Sequence, residues 1–311
     1  MSINMNKVTL LSLLPVLSAL LLSACSDNAS QSTAPITLNI TDAPVDDADA
    51  VVVQFTSVTL KSSGNDDLIF EFDSPKTIDL LALQGMASQP LIENEEIPAG
   101  EYNQIRLAVN AEFDSVMDSY ITVNSVDYEL RVPSGSQSGL KINTSFTVAA
   151  ESSDISIADE NAVYTIDFDL RKSIVNPVGQ PGYFLKPVLR LVQNTNTGSV
   201  SGSVDSSLLV GANCSDADPL TGNAVYVFAG LVTPDDFDGI GVEPLTTSLV
   251  SFDSGTGEYS YEVGYLVEGG YTLGFTCAAD LDDEDDNANV IFDVVDNIVV
   301  VAGVNLDQPI D

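Results

Sequence analysis

Histidine and tryptophan are absent from this 311-residue chain, and basic residues are scarce: 10 Lys plus Arg stand against 46 Asp plus Glu, a formal charge of −36. Without histidine there is no Ser-His or Cys-His nucleophile pair and no histidine-ligated zinc site, which removes the commonest routes to hydrolysis at neutral pH. So few cations cannot neutralise many phosphates, and so acidic a surface repels a polyanion, which excludes nucleic acid as a partner. Stacking on sugars falls to 10 Tyr and 12 Phe, many of them in strand-like runs. The longest apolar run, Val8 to Leu22, covers about 22 Å as a helix, short of the roughly 30 Å hydrocarbon core of a bilayer.

What is present is enough for a packed core, since 44% of the residues are hydrophobic. At the N-terminus Lys7 precedes that apolar run, and small residues follow it in Leu21-Leu22-Ser23-Ala24-Cys25. This is the layout of a signal peptide over residues 1–24. The run resembles the lipobox of bacterial lipoproteins, which implies that Cys25 is acylated and becomes the mature N-terminus, with the lipid bilayer as its partner. Each buried acyl methylene contributes about 0.8 kcal/mol, so several chains on one cysteine hold a protein at the surface. Residues 25–35 are small, polar and aperiodic, a tether that at roughly 3.3 Å per residue reaches about 30 Å. Ser26 stands where aspartate marks inner-membrane retention in lipoproteins; the resemblance therefore implies the outer membrane of the cell envelope, on either face.

Charge also divides the rest. All basic residues lie at or before Arg190, whereas residues 191–311 hold 21 acids and no Lys or Arg. The polar break Asn194-Thr195-Asn196-Thr197 coincides with this change, predicting domains over 36–193 and 198–311 joined by residues 194–197. Period-two patterning predicts strands in both. Thr165, Asp167 and Asp169 alternate with Tyr164, Ile166, Phe168 and Leu170, as a half-buried strand requires. Val51, Val53 and Phe55 alternate likewise, as do Ile105, Leu107 and Val109. One short helix is expected around Ile78–Gln84, capped by Asp79.

Four segments of the first domain occur in an order that is informative: Thr41-Asp42-Ala43-Pro44, Ile97-Pro98-Ala99-Gly100-Glu101-Tyr102 running on to Leu107, Val132-Pro133-Ser134-Gly135, and Leu185-Lys186-Pro187 running on to Leu191. Together they resemble the bacterial lipoprotein family of unknown function numbered 4382, which supplies no activity. The second domain, with Gly269-Gly270-Tyr271 opening a strand, is similar to transthyretin-like, carboxypeptidase-regulatory-like sandwiches. These resemblances imply an all-β chain: two tandem immunoglobulin-like or carbohydrate-binding-like β-sandwiches after a lipoprotein signal peptide. Both Tyr102 and Tyr271 follow a glycine-bearing corner, but Leu273 and Phe275 keep the parity of Tyr271 whereas Ile105 and Leu107 break that of Tyr102.

With Cys25 lipidated, Cys214 and Cys277 remain as an even pair, either bridged or two buried thiols. Two acid runs could carry a site: Asp280, Asp282, Asp283, Glu284, Asp285 and Asp286 in one loop, and Asp235, Asp236 and Asp238 in another. Clustered carboxylates suit a hard cation, Ca2+ first, although neither run has the spacing of an EF-hand; the plain alternative is two solvated loops. No cofactor is required. Arg106, Arg171, Lys172, Lys186 and Arg190 are expected to form cross-strand ion pairs with Asp167 and Asp169. Two classes of function survive: a non-catalytic envelope module that binds or displays a polysaccharide, an envelope protein or a cation, including a carbohydrate-binding or adhesion role, and a carboxylate-only glycosidase. Nothing singles out an acid pair, so the first is the reading taken: not an enzyme.

Overall fold

Alternation makes strand β1 (Thr33–Ala43) two-faced: Ile36, Leu38 and Ile40 are fully buried, whereas Thr37 and Asn39 between them are only partly so. The structure, a computed structural model, describes residues 32–311 except 44–47, 65, 134–137, 150–161, 178, 180 and 283–289. The leader, Cys25 and the tether to residue 31 lie outside the described residues. Among the described residues no helix is long and apolar enough to cross a membrane.

The first half continues through β2 (Ala50–Ser62), β3 (Leu68–Asp79), β4 (Gln89–Pro98) and β5 (Gly100–Asn110). Then come β6 (Tyr120–Val123), β7 (Val126–Arg131), β8 (Leu140–Ile142), β9 (Phe146–Val148) and β10 (Ala162–Asp169). A single helical turn, α1 (Leu170–Ser173), leads to β11 (Ile174–Val175), β12 (Tyr183–Leu185) and β13 (Leu189–Gln193). One sheet has the order β13-β10-β1-β4; the other runs β11-β12-β7-β6-β2-β5-β8, with β3 also on β2 and β9 also on β5. Their inner faces share one core, so the half is a β-sandwich.

Two bulges explain changes of phase in the sequence. Along β2 the buried positions pass from Val51, Val53 and Phe55 to Val58 and Leu60, and the ladder shifts register between Phe55 and Ser57. A second shift, where Lys61 and Ser62 face Gln104 and Tyr102, lets both Tyr102 and Ile105 point inward despite their opposite parity. An extra residue at a bulge turns the following side chains over, which keeps the apolar set inside. The tyrosine corner itself is the same in both halves: the Tyr102 hydroxyl donates to the Pro98 carbonyl at 2.7 Å, and the Tyr271 hydroxyl to the Val267 carbonyl at 2.6 Å.

Two expectations are corrected here. The helix over Ile78–Gln84 shrinks to a 3-10 turn, Leu80–Ala82, because Ile78 and Asp79 belong to β3; the Asp79 carboxylate takes the Val51 N–H at 3.1 Å and caps nothing. Strand β10 is buried on both faces: Thr165 is bonded to Asn194 at 2.8 Å and Asp167 pairs with Arg190 at 2.6 Å. That pair crosses from β10 to β13 as expected, whereas Lys172 meets Asp169 at 3.0 Å within the turn that Asp169 caps.

After a 3-10 turn at Asn194–Asn196 the chain forms β14 (Thr197–Val204), β15 (Ala224–Ala229), β16 (Thr246–Leu249), β17 (Ser251–Asp253), β18 (Glu258–Val267), β19 (Gly269–Thr276), β20 (Val294–Val300) and β21 (Asn305–Asp307). Sheets β17-β18-β14-β21 and β16-β15-β19-β20 pack over a second core that includes Val200, Val227, Val263, Leu273, Phe275 and Ile298. Ser32–Asp311 form one compact unit. The two cores meet along a close seam. Gly264 stands so near that a Cβ there would lie 2.3 Å from the Gly85 carbonyl oxygen, and Tyr265 donates its hydroxyl to the Met86 carbonyl at 3.0 Å.

Candidate functional site

The acid runs sit in two connections of the same sheet, one after β15 and one after β19. Cys277 follows β19 and is joined to Cys214, 63 residues away, with an S–S distance of 2.07 Å and a Cα–Cα distance of 4.6 Å. Alongside the bridge the Ser215 N–H donates to the Cys277 carbonyl at 3.1 Å and the Ala279 N–H to the Gly222 carbonyl at 2.9 Å. The segment from Cys277 to Asp282 is thus pinned to the loop before β15. A 3-10 turn at Ala279–Leu281 then turns Asp282 toward the other acid run.

Asp282 is the joint between the runs. One of its oxygens accepts the Tyr226 hydroxyl at 2.7 Å and the other accepts the Phe237 N–H at 3.0 Å. The connection between β15 and β16 can reach it because Val232 and Val242 pack on the outer face of the sheet with Tyr226, Phe228 and Phe292. That folding back carries Asp236 and Phe237 out of water. Asp236 is only 5% exposed and its Oδ2 has no hydrogen-bond partner. Burial pushes its carboxyl above the ordinary aspartate range; the adjoining Asp235 side chain and the charges of Asp238 and Asp282 push it further. Glu243 is raised chiefly by burial, with Asp238 adding to the shift and Lys172 opposing it, and neither of its buried oxygens has a well-formed hydrogen bond. Asp280 keeps one buried oxygen unpaired beside Ser215, while Asp235 is exposed and Asp238 accepts the Ile240 N–H at 2.8 Å.

Cations arrive from the other half of the chain, which composition alone does not reveal. Arg171 donates to the Ala279 carbonyl at 3.0 Å and lies 5.3 Å from the centre of the Tyr226 ring. Lys172 donates to the Pro244 carbonyl and lies 5.3 Å from the Phe237 ring. Among the described residues neither Arg171 nor Lys172 makes the cross-strand pair expected of it: both reach over the seam to carbonyls of the second half. Among the described residues no three His, Cys, Asp or Glu groups stand ready as metal ligands. Asp283, Glu284, Asp285 and Asp286 lie outside the described residues.

Elsewhere an open cleft of about 570 Å³ runs between β3 and β4, lined by Phe70, Phe72, Lys76, Glu71, Glu93 and Glu95 among others. Lys76 lies 4.9 Å over the Phe72 ring and donates to the Pro90 and Leu91 carbonyls, both at 3.1 Å. The cation and the ring face of this cleft are therefore already engaged with each other.

No curated protein matches the chain in sequence. Among solved structures it is similar to the TIE protein of Bacillus anthracis, with 10% identity, 89% of this chain covered and a TM-score of 0.20, although it spans only 34% of that chain. It is also similar to GBS52, the minor pilin of Streptococcus agalactiae (12% identity, 88% of this chain and 94% of that chain, TM-score 0.19). A third is the fimbrial anchor protein Mfa2 of Porphyromonas gingivalis (11% identity, 80% of this chain and 79% of that chain, TM-score 0.18). Likeness at this level carries no argument about activity. The sequence match is of another kind: through residues 33–187 the chain belongs to the family described as Domain of unknown function (DUF4382).

Proposed function

We propose that this protein is a lipid-anchored, non-catalytic module of the bacterial cell envelope, standing off the outer membrane on a short tether and binding or displaying a polysaccharide or an envelope protein. The observation that carries this reading is the apolar leader ending at Cys25, followed by a polar tether and then two sandwiches. Replacing the acylated residue tests it: Cys25→Ala is expected to move the protein from the membrane fraction to the soluble one, and mass spectrometry of the parent protein should find an acylated N-terminal cysteine. Unchanged membrane retention of the variant contradicts the anchor. A glycosidase finds little support in the cleft between β3 and β4, because Glu71, Glu93 and Glu95 are all exposed and nothing there buries a carboxyl to make it a general acid. The engaged Phe72 and Lys76 likewise weaken that cleft as a sugar platform.

A second element of the proposal is calcium at the joined acid loops. Its support is electrostatic, not a formed ligand set: the buried Asp236 carboxyl keeps one oxygen unpaired and is repelled by the charges of Asp238 and Asp282, a repulsion that a bound hard cation would relieve. Bound calcium would supply charge neutralisation and cross-linking of the loops, not chemistry. For the full chain, millimolar Ca2+ is expected to raise the melting temperature beyond a NaCl control of equal ionic strength; at one hundred times the dissociation constant the gain is about 2.7 kcal/mol. Asp236→Asn should shrink that increment. An equal shift with sodium reduces the acid runs to screened surface charge.

A further inference from the structure

We infer that strand β20 is a self-association edge, on which a second copy of this chain pairs antiparallel about a two-fold axis through Asn297. The other edge strands of the second sandwich are short, with 4 residues in β16 and 3 each in β17 and β21. By contrast β20 is 7 residues long, ends its sheet, and pairs with β19 without a register shift. Natural edges are usually blunted by shortness, bulges, proline or charge; among the described residues β20 has only the last, in Asp296, whose carboxylate accepts from the Gln308 side-chain amide at 3.3 Å. Its inner positions, Ile298 and Val300, are buried in the core, and its outer face presents Val295 at 47% and Val299 at 67% exposure. Leu231, 71% exposed, lies against Gly270, the residue that Val299 faces across the ladder, so the apolar surface extends beyond the strand.

The occupant follows from the sequence of the strand, Val294-Val295-Asp296-Asn297-Ile298-Val299-Val300, which reads almost alike in both directions about Asn297. Centred there, an antiparallel pair sets Val295 opposite Val299 of the other copy, Asn297 opposite itself and Asp296 opposite Ile298, so the whole strand is laddered and no carboxylate faces another. This matters for a chain of charge −36. Moving the centre to residue 296 places Asp296 against its own copy, and moving it to residue 298 drops residues 294 and 295 from the ladder. A half-step is forbidden, because it pairs inner with outer faces. The result is an isologous interface of the β-augmentation type, joining two four-stranded sheets into one.

Oxidative cross-linking of the full-length protein in intact cells tests the register. Directly opposed Cβ atoms lie about 4.5–5.5 Å apart, close to disulfide reach, so Asn297→Cys alone is expected to give a dimer on a non-reducing gel. Val295→Cys alone should give at least tenfold less, since the two copies of residue 295 are displaced by about 13 Å along the strands. Adding Val299→Asp to Asn297→Cys, a change outside the core that sets a charge on the apolar face, should abolish the dimer. A monomeric Asn297→Cys protein, equal cross-linking at 295 and 297, or a dimer that survives Val299→Asp would each overturn the inference.

Discussion

Removing the Cys214–Cys277 bridge, in the Cys214→Ala/Cys277→Ala double variant, is expected to destabilise the second sandwich by about 4 kcal/mol, the chain-entropy value for closing a loop of 63 residues. The loss should exceed that of any single surface substitution, because the bridge ties a long connection, Asp205 to Asn223, to the end of a core strand. The released connection is held otherwise by Leu209 in the core, by the Asn213 amide on the Asp293 carboxylate at 2.6 Å, and by backbone bonds such as Ser215 to Cys277 and Ala279 to Gly222. Both lie next to the acid loops, so the same variant should also diminish the calcium increment in melting temperature. Urea denaturation of parent and variant, followed by tyrosine fluorescence since tryptophan is absent, measures the effect; coincident midpoints would show that the loop is held without the bridge.

How far the sequence reveals this molecule depends on whether the cause of each feature is local. Alternation at Val51–Phe55 and Ile105–Val109 is local, because a pleated strand with one buried face imposes it, and the strands stand where it predicts them. The broken parity between Tyr102 and Ile105 is visible in the sequence, but its cause, a bulge against Lys61 and Ser62, needs the partner strand. Leu80-Leu81-Ala82-Leu83 reads as helix because short apolar runs carry no period of their own, and here pairing of β3 with β2 claims the residues before it. Least legible is the site. Asp236 and Asp282 are 46 positions apart, and only the fold-back over Tyr226 and Phe228 makes the two acid runs one feature. Nor does alternation announce that the polar face of β10 is covered, since that burial depends on Asn194 and Arg190 from neighbouring elements.

Asp42→Asn is expected to stabilise the protein at neutral pH. Asp42 continues the alternation of Ile36, Leu38 and Ile40, so the strand directs it to the core side, where it is 5% exposed and neither carboxylate oxygen has a well-formed hydrogen bond. Burial holds its carboxyl well above the ordinary aspartate range; the negative charges of Asp167, Asp169 and Asp79 add to this, and only the Leu170 N–H acts in the other direction. The nearby cations do not relieve it, for Arg190 is paired with Asp167 and Lys172 with Asp169. The sign follows from linkage. Below the ordinary carboxylate value Asp42 is protonated in both folded and unfolded chains and costs nothing. As pH rises from there toward the higher folded value, the unfolded chain ionises while the folded one must keep its proton or bury a charge, so stability falls. Asparagine keeps the shape of the protonated acid, can accept from Leu170, and has carboxylates close by as acceptors for its amide. The gain from Asp42→Asn should therefore be full at pH 8, where it amounts to about 1.4 kcal/mol for every unit by which the folded carboxyl lies above the unfolded one, and vanish below about pH 3. Denaturation midpoints of the two proteins across this range decide the matter: a gap that is flat with pH, or a variant less stable at pH 8, would mean that the carboxylate is ionised and compensated where it stands.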